Sequence, residues 1–83
     1  MITIYGRPNC SWCDKAKDLA TSYQLKYEYR STDSDAILNE LKLRLPNVKT
    51  VPQIWWYEKY IGGYEDFVTE LQNTMGDYGN GKI

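Results

Sequence analysis

Both cysteines of this 83-residue chain fall in one short segment, GRPNCSWCDKAK (residues 6–17), with only Ser11 and Trp12 between Cys10 and Cys13. A bridge that short closes a tiny loop and constrains little of the unfolded chain, so the pair is not a disulfide scaffold. The fold must therefore rest on an apolar core, and the length allows one compact domain, residues 1–83. The segment ITIY (Ile2 to Tyr5), β-branched and aromatic, ends at Gly6 with Pro8 just beyond, which reads as a strand followed by a turn. Cys10 sits where that turn hands over to a helix.

Composition narrows the function classes. Hydrophobic residues make up 42% of the chain and the formal net charge is -1, a globular composition without the low hydrophobicity that disorder requires. Lysines and arginines are scattered, so no nucleic-acid partner is expected. No apolar run approaches the roughly 20 residues of a membrane span, and MITIYGRPNC lacks the basic start and apolar stretch of a signal peptide. The expectation is a cytoplasmic monomer with no membrane partner. The chain has no histidine, which removes Cys–His nucleophilic pairs and histidine metal ligands. Two cysteines supply half of a structural zinc site, so no metal ligands are assigned.

Apolar spacing orders the rest of the chain. Ala16, Leu19, Ala20 and Tyr23 recur at helical intervals and predict an amphipathic helix from Ser11 to near Gln24. KYEYR (Lys26 to Arg30) alternates as a second strand, and STDSD (Ser31 to Asp35) offers N-caps for a second helix. That helix turns Ile37, Leu38, Leu41 and Leu45 inward, carries Lys42 and Arg44 near its C-terminal end, and stops at Pro46. VPQIWWY (Val51 to Tyr57) predicts a third strand, and the chain from EKY to Gly62-Gly63 a fourth, paired as a hairpin. Among Trp55, Trp56, Tyr57 and Tyr60, alternating burial explains the aromatics without a ligand, with at least one tryptophan in the core. A last helix has Tyr64, Phe67, Val68, Leu71 and Met75 on one face and ends at Gly76, leaving a mobile tail over 76–83. The order β-α-β-α-β-β-α predicts an α/β fold: a central four-stranded mixed sheet flanked by three helices, compatible with a thioredoxin-like fold.

At a helix start, unpaired backbone N–H groups and the positive end of the dipole favour thiolate over thiol, lowering the usual pKa of about 8.5. Cys10 is thus the expected nucleophile. Cys13, almost one turn deeper on nearly the same side, is near enough to resolve a mixed disulfide formed at Cys10. Arg7 adds a cation three residues before Cys10, to support the thiolate or meet an anionic substrate; the plainer alternative is a solvated loop arginine. The corresponding alternative for the pair is two reduced thiols packed near a helix start.

These motifs, in this order, resemble those of glutaredoxins of the small dithiol type found in bacteria and bacteriophages. YGRPNCSWC is similar to the active-site strand and loop, CDKAKDLA to the helix after it, KTVPQI to the cis-proline loop and IGGYEDF to the glutathione-binding turn. The resemblance implies a thioredoxin-like fold, catalytic Cys10 and Cys13, and a glutathione site built from Arg7, Trp12, Lys49, Thr50, Val51, Pro52, Gly63, Tyr64 and Glu65. It implies a cis Val51–Pro52 bond, with the Val51 backbone pairing like a strand with the cysteinyl part of glutathione. Arg7 and Lys49 would face the glycine carboxylate, and the backbone after Gly63 would hold the γ-glutamyl end at a helix N-terminus.

The implied activity is glutathione-dependent thiol–disulfide exchange on protein disulfides and glutathionylated proteins, ribonucleotide reductase among them. Two departures stand out: Ser11 and Trp12 occupy places where many dithiol members have proline and tyrosine, and Glu65 puts a negative charge near the γ-glutamyl carboxylate. Members with serine or glycine in place of that proline sometimes hold a [2Fe-2S] cluster between two chains and two glutathiones. A cluster-binding module is therefore one rival reading, and a redoxin reduced directly by thioredoxin reductase is the other.

Overall fold

The structure, a computed structural model, describes residues 1–76, with side-chain surroundings through residue 74. The elements run β1 (Ile2–Gly6), α1 (Ser11–Ser22), β2 (Tyr27–Ser31), α2 (Asp35–Arg44), β3 (Gln53–Trp56), β4 (Lys59–Gly62) and α3 (Tyr64–Leu71), followed by a π-helical turn, Gln72–Gly76. This is the order expected from the sequence. Residues 77–83 of the expected tail, and the side chain of Met75, lie outside the described residues.

The four strands form one sheet in the order β2-β1-β3-β4. β1 and β2 are parallel, with Ile2 opposite Tyr27 and Gly6 opposite Ser31. β1 and β3 are antiparallel, with Ile4 opposite Ile54, and β3 and β4 form the expected hairpin. Strand β1 is covered on both faces, which is why nearly every residue in it is buried.

Alternation along the strands divides the core in two. Ile2, Ile4 and Ile54 point to one face, where Ala16 and Ala20 of α1 and Phe67 and Leu71 of α3 complete an apolar cluster. Tyr5 and Trp55 point to the other and pack with Leu41 of α2. Trp55 is therefore the core tryptophan, while Trp56 is half-buried beneath the α1/α3 side.

Local chemistry sets the element ends. Cys10 caps α1, and the helix stops before Gln24, whose positive φ of 59° leaves the right-handed helical region. Ser34 caps α2 with its hydroxyl oxygen 3.5 Å from the Ile37 N–H, and Leu45 closes the last turn on the Leu41 carbonyl before Pro46. β3 is shorter than the Val51–Tyr57 expected from composition. It begins after the cis Val51–Pro52 bond and ends at Trp56, because Tyr57 takes φ 56° in the two-residue turn to β4. One glycine answers a close approach: a β-carbon on Gly6 would lie 2.7 Å from the Tyr29 ring and 3.0 Å from the Cys13 sulfur.

Candidate active site

The turn after β1 delivers Cys10 in extended conformation to the N-cap of α1, where its sulfur accepts the Cys13 N–H at 3.1 Å. The helix thus receives at its first turn the cap that serine or aspartate usually provides. Cys10 and Cys13 are joined as a disulfide, their α-carbons 5.2 Å apart. Exposure separates the two sulfurs: Cys10 is 7% exposed and Cys13 wholly buried. Of the two sulfurs, only that of Cys10 is open to an incoming thiol or disulfide.

The cis-proline loop lies against the pair. The Val51 carbonyl oxygen is 3.9 Å from the Cys10 sulfur, a contact and not a hydrogen bond while that sulfur has no proton. Pro52 is buried, Val51 half-buried and Thr50 exposed, so the loop rises from the core toward solvent beside the Cys10 sulfur.

Two clefts open on either side of that loop and share Thr50 and Val51. The first, about 300 Å³, is lined by Trp12, Pro52, Gly63, Tyr64, Glu65 and Asp66 together with the shared pair. Trp12 and Tyr64 approach across it with ring centroids 5.4 Å apart, and the Lys15 ammonium lies 4.5 Å from the Trp12 ring centroid. The second cleft, about 160 Å³, brings Arg7 and Lys49 to an apolar floor of Leu38, Leu41 and Val48. The nine candidate binding residues therefore divide between adjoining clefts, with the two cations on one side and the N-terminus of α3 on the other.

Gly63 and the first-turn residues Tyr64, Glu65 and Asp66 line the first cleft, and a helix start leaves its first N–H groups without intrahelical partners. Asp66 accepts the Gly63 N–H at 3.2 Å, and Gly62 enters the turn with φ +123°, a conformation that side chains other than hydrogen rarely adopt. Asp66 was absent from the candidate residues. Its signal was present in the sequence as an acidic residue three positions after a capping glycine, the spacing of a capping box.

Gln53 was missed too, with no short-range signal to find it. Among the described residues it is the one buried polar side chain, and its amide donates to the Thr50 carbonyl at 3.0 Å and to the Thr50 hydroxyl at 3.3 Å. The Tyr60 hydroxyl donates to its amide oxygen at 2.6 Å. Burial, followed by the Asp66 charge, pushes the Tyr60 pKa up, so the hydroxyl remains a donor. On the far side of the reactive loop, the Tyr29 hydroxyl donates to the Arg7 carbonyl at 3.1 Å. Among the described residues, no three histidine, cysteine, aspartate or glutamate side chains gather as metal ligands would.

Comparison with known proteins fits this geometry. The family model described as Glutaredoxin matches residues 2–61. A curated glutaredoxin of Haemophilus influenzae is 37% identical over 82 residues, covering 90% of this chain and 94% of the relative. The solved structure of reduced Escherichia coli glutaredoxin superposes with a TM-score of 0.76 at 32% identity, covering 90% of this chain and 96% of the other. A buckwheat glutaredoxin solved as a glutathione complex gives a TM-score of 0.73 at 22% identity, over 87% of this chain and 68% of that one, a likeness of fold. The βαβαββα arrangement is thus the thioredoxin-like fold.

Proposed function

We propose that this chain, which belongs to the glutaredoxin family and is a thiol–disulfide oxidoreductase, draws its electrons from glutathione and binds it across the two clefts. The observation that carries the reading is the position of the disulfide. Cys10 caps α1 with its sulfur 3.9 Å from the carbonyl oxygen of Val51, a residue that lines both the cationic cleft and the cleft at the N-terminus of α3.

The chemistry follows from that position. With the pair reduced, the Cys10 thiolate attacks one sulfur of a substrate disulfide; that bond breaks and the other half leaves as a thiol. Cys13 then attacks the Cys10 sulfur, releasing the second half as a thiol and forming the Cys10–Cys13 disulfide. One glutathione thiolate attacks Cys10 and frees Cys13. A second attacks the glutathione sulfur of that mixed disulfide, restores the Cys10 thiolate and leaves as glutathione disulfide. Two electrons pass from two glutathiones to one substrate disulfide. The N-cap supplies the stabilisation of the Cys10 thiolate, since the Cys13 N–H and the helix dipole favour negative charge there.

In this reading Arg7 and Lys49 receive the glycine carboxylate, the Val51 backbone pairs with the cysteinyl unit beside buried Pro52, and Thr50 lines both clefts. The N–H groups after Gly63, at Tyr64 and Glu65, take the γ-glutamyl carboxylate, while Trp12 walls the first cleft. We extend it to residues 1–83 acting as one monomeric domain in the cytoplasm, on glutathionylated proteins and on disulfides such as that of ribonucleotide reductase.

The test is NADPH consumption by glutathione reductase, with glutathione and a small mixed disulfide, for the natural protein and for Cys10→Ser and Cys13→Ser. Turnover is expected in the natural protein, none with Cys10→Ser, and retained turnover of the glutathione mixed disulfide with Cys13→Ser. Absence of turnover in the natural protein would overturn glutathione dependence.

A further inference from the structure

We infer that Gln53, held by Tyr60, is a positioning residue that fixes the Thr50–Val51 peptide at the junction of the two clefts; the functional consequence rests on the glutathione reading above. The starting point is an anomaly of burial. A glutamine side chain 8% exposed lies in a strand whose neighbours Ile54 and Trp55 are core residues, so its amide must be satisfied inside the protein. It is satisfied, and all three of its bonds go to two places, the Thr50 residue and the Tyr60 hydroxyl.

The orientation of the amide is dictated by chemistry. A backbone carbonyl only accepts, so the nitrogen end must face Thr50 and the oxygen end must face away from it. That leaves the amide oxygen for the Tyr60 hydroxyl, a donor available there at 2.6 Å. The Thr50 carbonyl thus selects the amide orientation, and the Tyr60 hydroxyl anchors the far end of the side chain by donating to the amide oxygen. The Tyr60 ring is fixed in turn, 4.8 Å from that of buried Trp55.

What this chain of contacts holds is the carbonyl end of the Thr50–Val51 peptide. The next carbonyl along, that of Val51, is the one 3.9 Å from the Cys10 sulfur. Thr50 and Val51 are also the two residues common to both clefts. A peptide that turns freely here presents its N–H and carbonyl groups to a bound tripeptide in the wrong direction part of the time. The loss should appear in substrate binding, with the sulfur chemistry unchanged, because Gln53 does not touch the disulfide.

Two variants separate the links. Gln53→Glu keeps the side-chain length and removes both donors toward Thr50; Tyr60→Phe keeps the ring against Trp55 and removes only the hydroxyl. With the glutathione mixed disulfide, KM should rise about tenfold in Gln53→Glu and about threefold in Tyr60→Phe, with kcat within about twofold, the size of one or two hydrogen bonds. If Gln53→Glu does not fold, Tyr60→Phe decides alone. An unchanged KM, or a kcat that falls with KM fixed, overturns the inference. Should the natural protein show no turnover with glutathione, the glutathione reading fails by itself, and the 13C resonance of the Thr50 carbonyl decides positioning. A displaced resonance in both folded variants supports the inference, and an unmoved one overturns it.

Discussion

On the face of the sheet covered by α1 and α3, the packing groups are Ile2, Ile4, Ala16, Ala20, Ile54, Phe67 and Leu71, all apolar and almost wholly buried. The face covered by α2 is built differently. Its buried members are Tyr5, Leu41 and Trp55, and a polar network runs along its border. Arg30 grips Glu40 through two hydrogen bonds of 3.0 and 2.7 Å and Glu28 through one of 2.8 Å, while the buried Tyr5 hydroxyl donates to Glu40. The Arg44 guanidinium lies 4.9 Å from the Trp55 ring centroid. Strength on the first face should thus follow packed volume, and on the second it should depend on charge state. The reactive pair lies at the border between them, with Cys13 buried beside the α1 core and the Val51 of its neighbouring loop packed on the α2 cluster.

The sharpest way to break this contrast is to remove volume from the apolar face. Phe67→Ala should cost about 3–5 kcal/mol, a large part of a small domain's stability, read from urea denaturation. A loss under about 1.5 kcal/mol would mean that this face collapses around the hole and is no better packed than the other.

On the α2 face, Tyr5→Phe keeps the ring against Trp55 and deletes only the bond to Glu40. The expected loss is about 1–2 kcal/mol by the same measurement. A loss as large as that of Phe67→Ala would erase the distinction.

Titration sharpens it further. The Tyr5 hydroxyl and then Arg30 hold the Glu40 carboxyl below its ordinary pKa of 4.5. A carboxyl depressed in the folded state contributes stability at pH values above the unfolded value, and that contribution is lost as pH falls from there through the folded one. Burial, and next the bond to Glu40, raises the Tyr5 pKa above 10.0, so its contribution is present below 10.0 and lost at higher pH. Melting curves should fall off at both extremes in the natural protein, and Glu40→Gln should flatten the acid limb. An unchanged acid limb would remove Glu40 from the account. The smallest effect is expected on the outer side of α2, where Leu43 is 85% exposed: Leu43→Ser should change stability by no more than about 0.5 kcal/mol.

The contrast between faces also explains what the sequence made legible. Apolar spacing exposed α1, α2 and α3 and the order of elements along the chain, since burying Ala16, Ala20, Phe67 and Leu71 on one side leaves a periodic trace. The cysteine pair, the Thr-Val-Pro loop and the Gly-Gly turn were legible as local motifs. The polar network left no such trace, because Tyr5 and Glu40 are 35 positions apart and each alone reads as an ordinary residue. Gln53 was hidden for the same reason, its partner Tyr60 lying across a hairpin with a bulge in its register. The end of β3 was misjudged because Tyr57, a good strand former by composition, takes a left-handed turn conformation.

The sulfur at the N-cap of α1 has a consequence outside the exchange reaction. A helix capped by serine has the same cap whatever the surroundings, whereas here the capping atom changes between a disulfide sulfur, a neutral thiol and a thiolate. A negative sulfur accepts the Cys13 N–H more strongly than a neutral one and also meets the helix dipole. The firmness of the first turn of α1 is therefore tied to the redox and ionisation state of one atom. By linkage, whatever tightens that turn in the reduced protein also favours the ionised sulfur. The helix is both the support of the reagent and a gauge of its state.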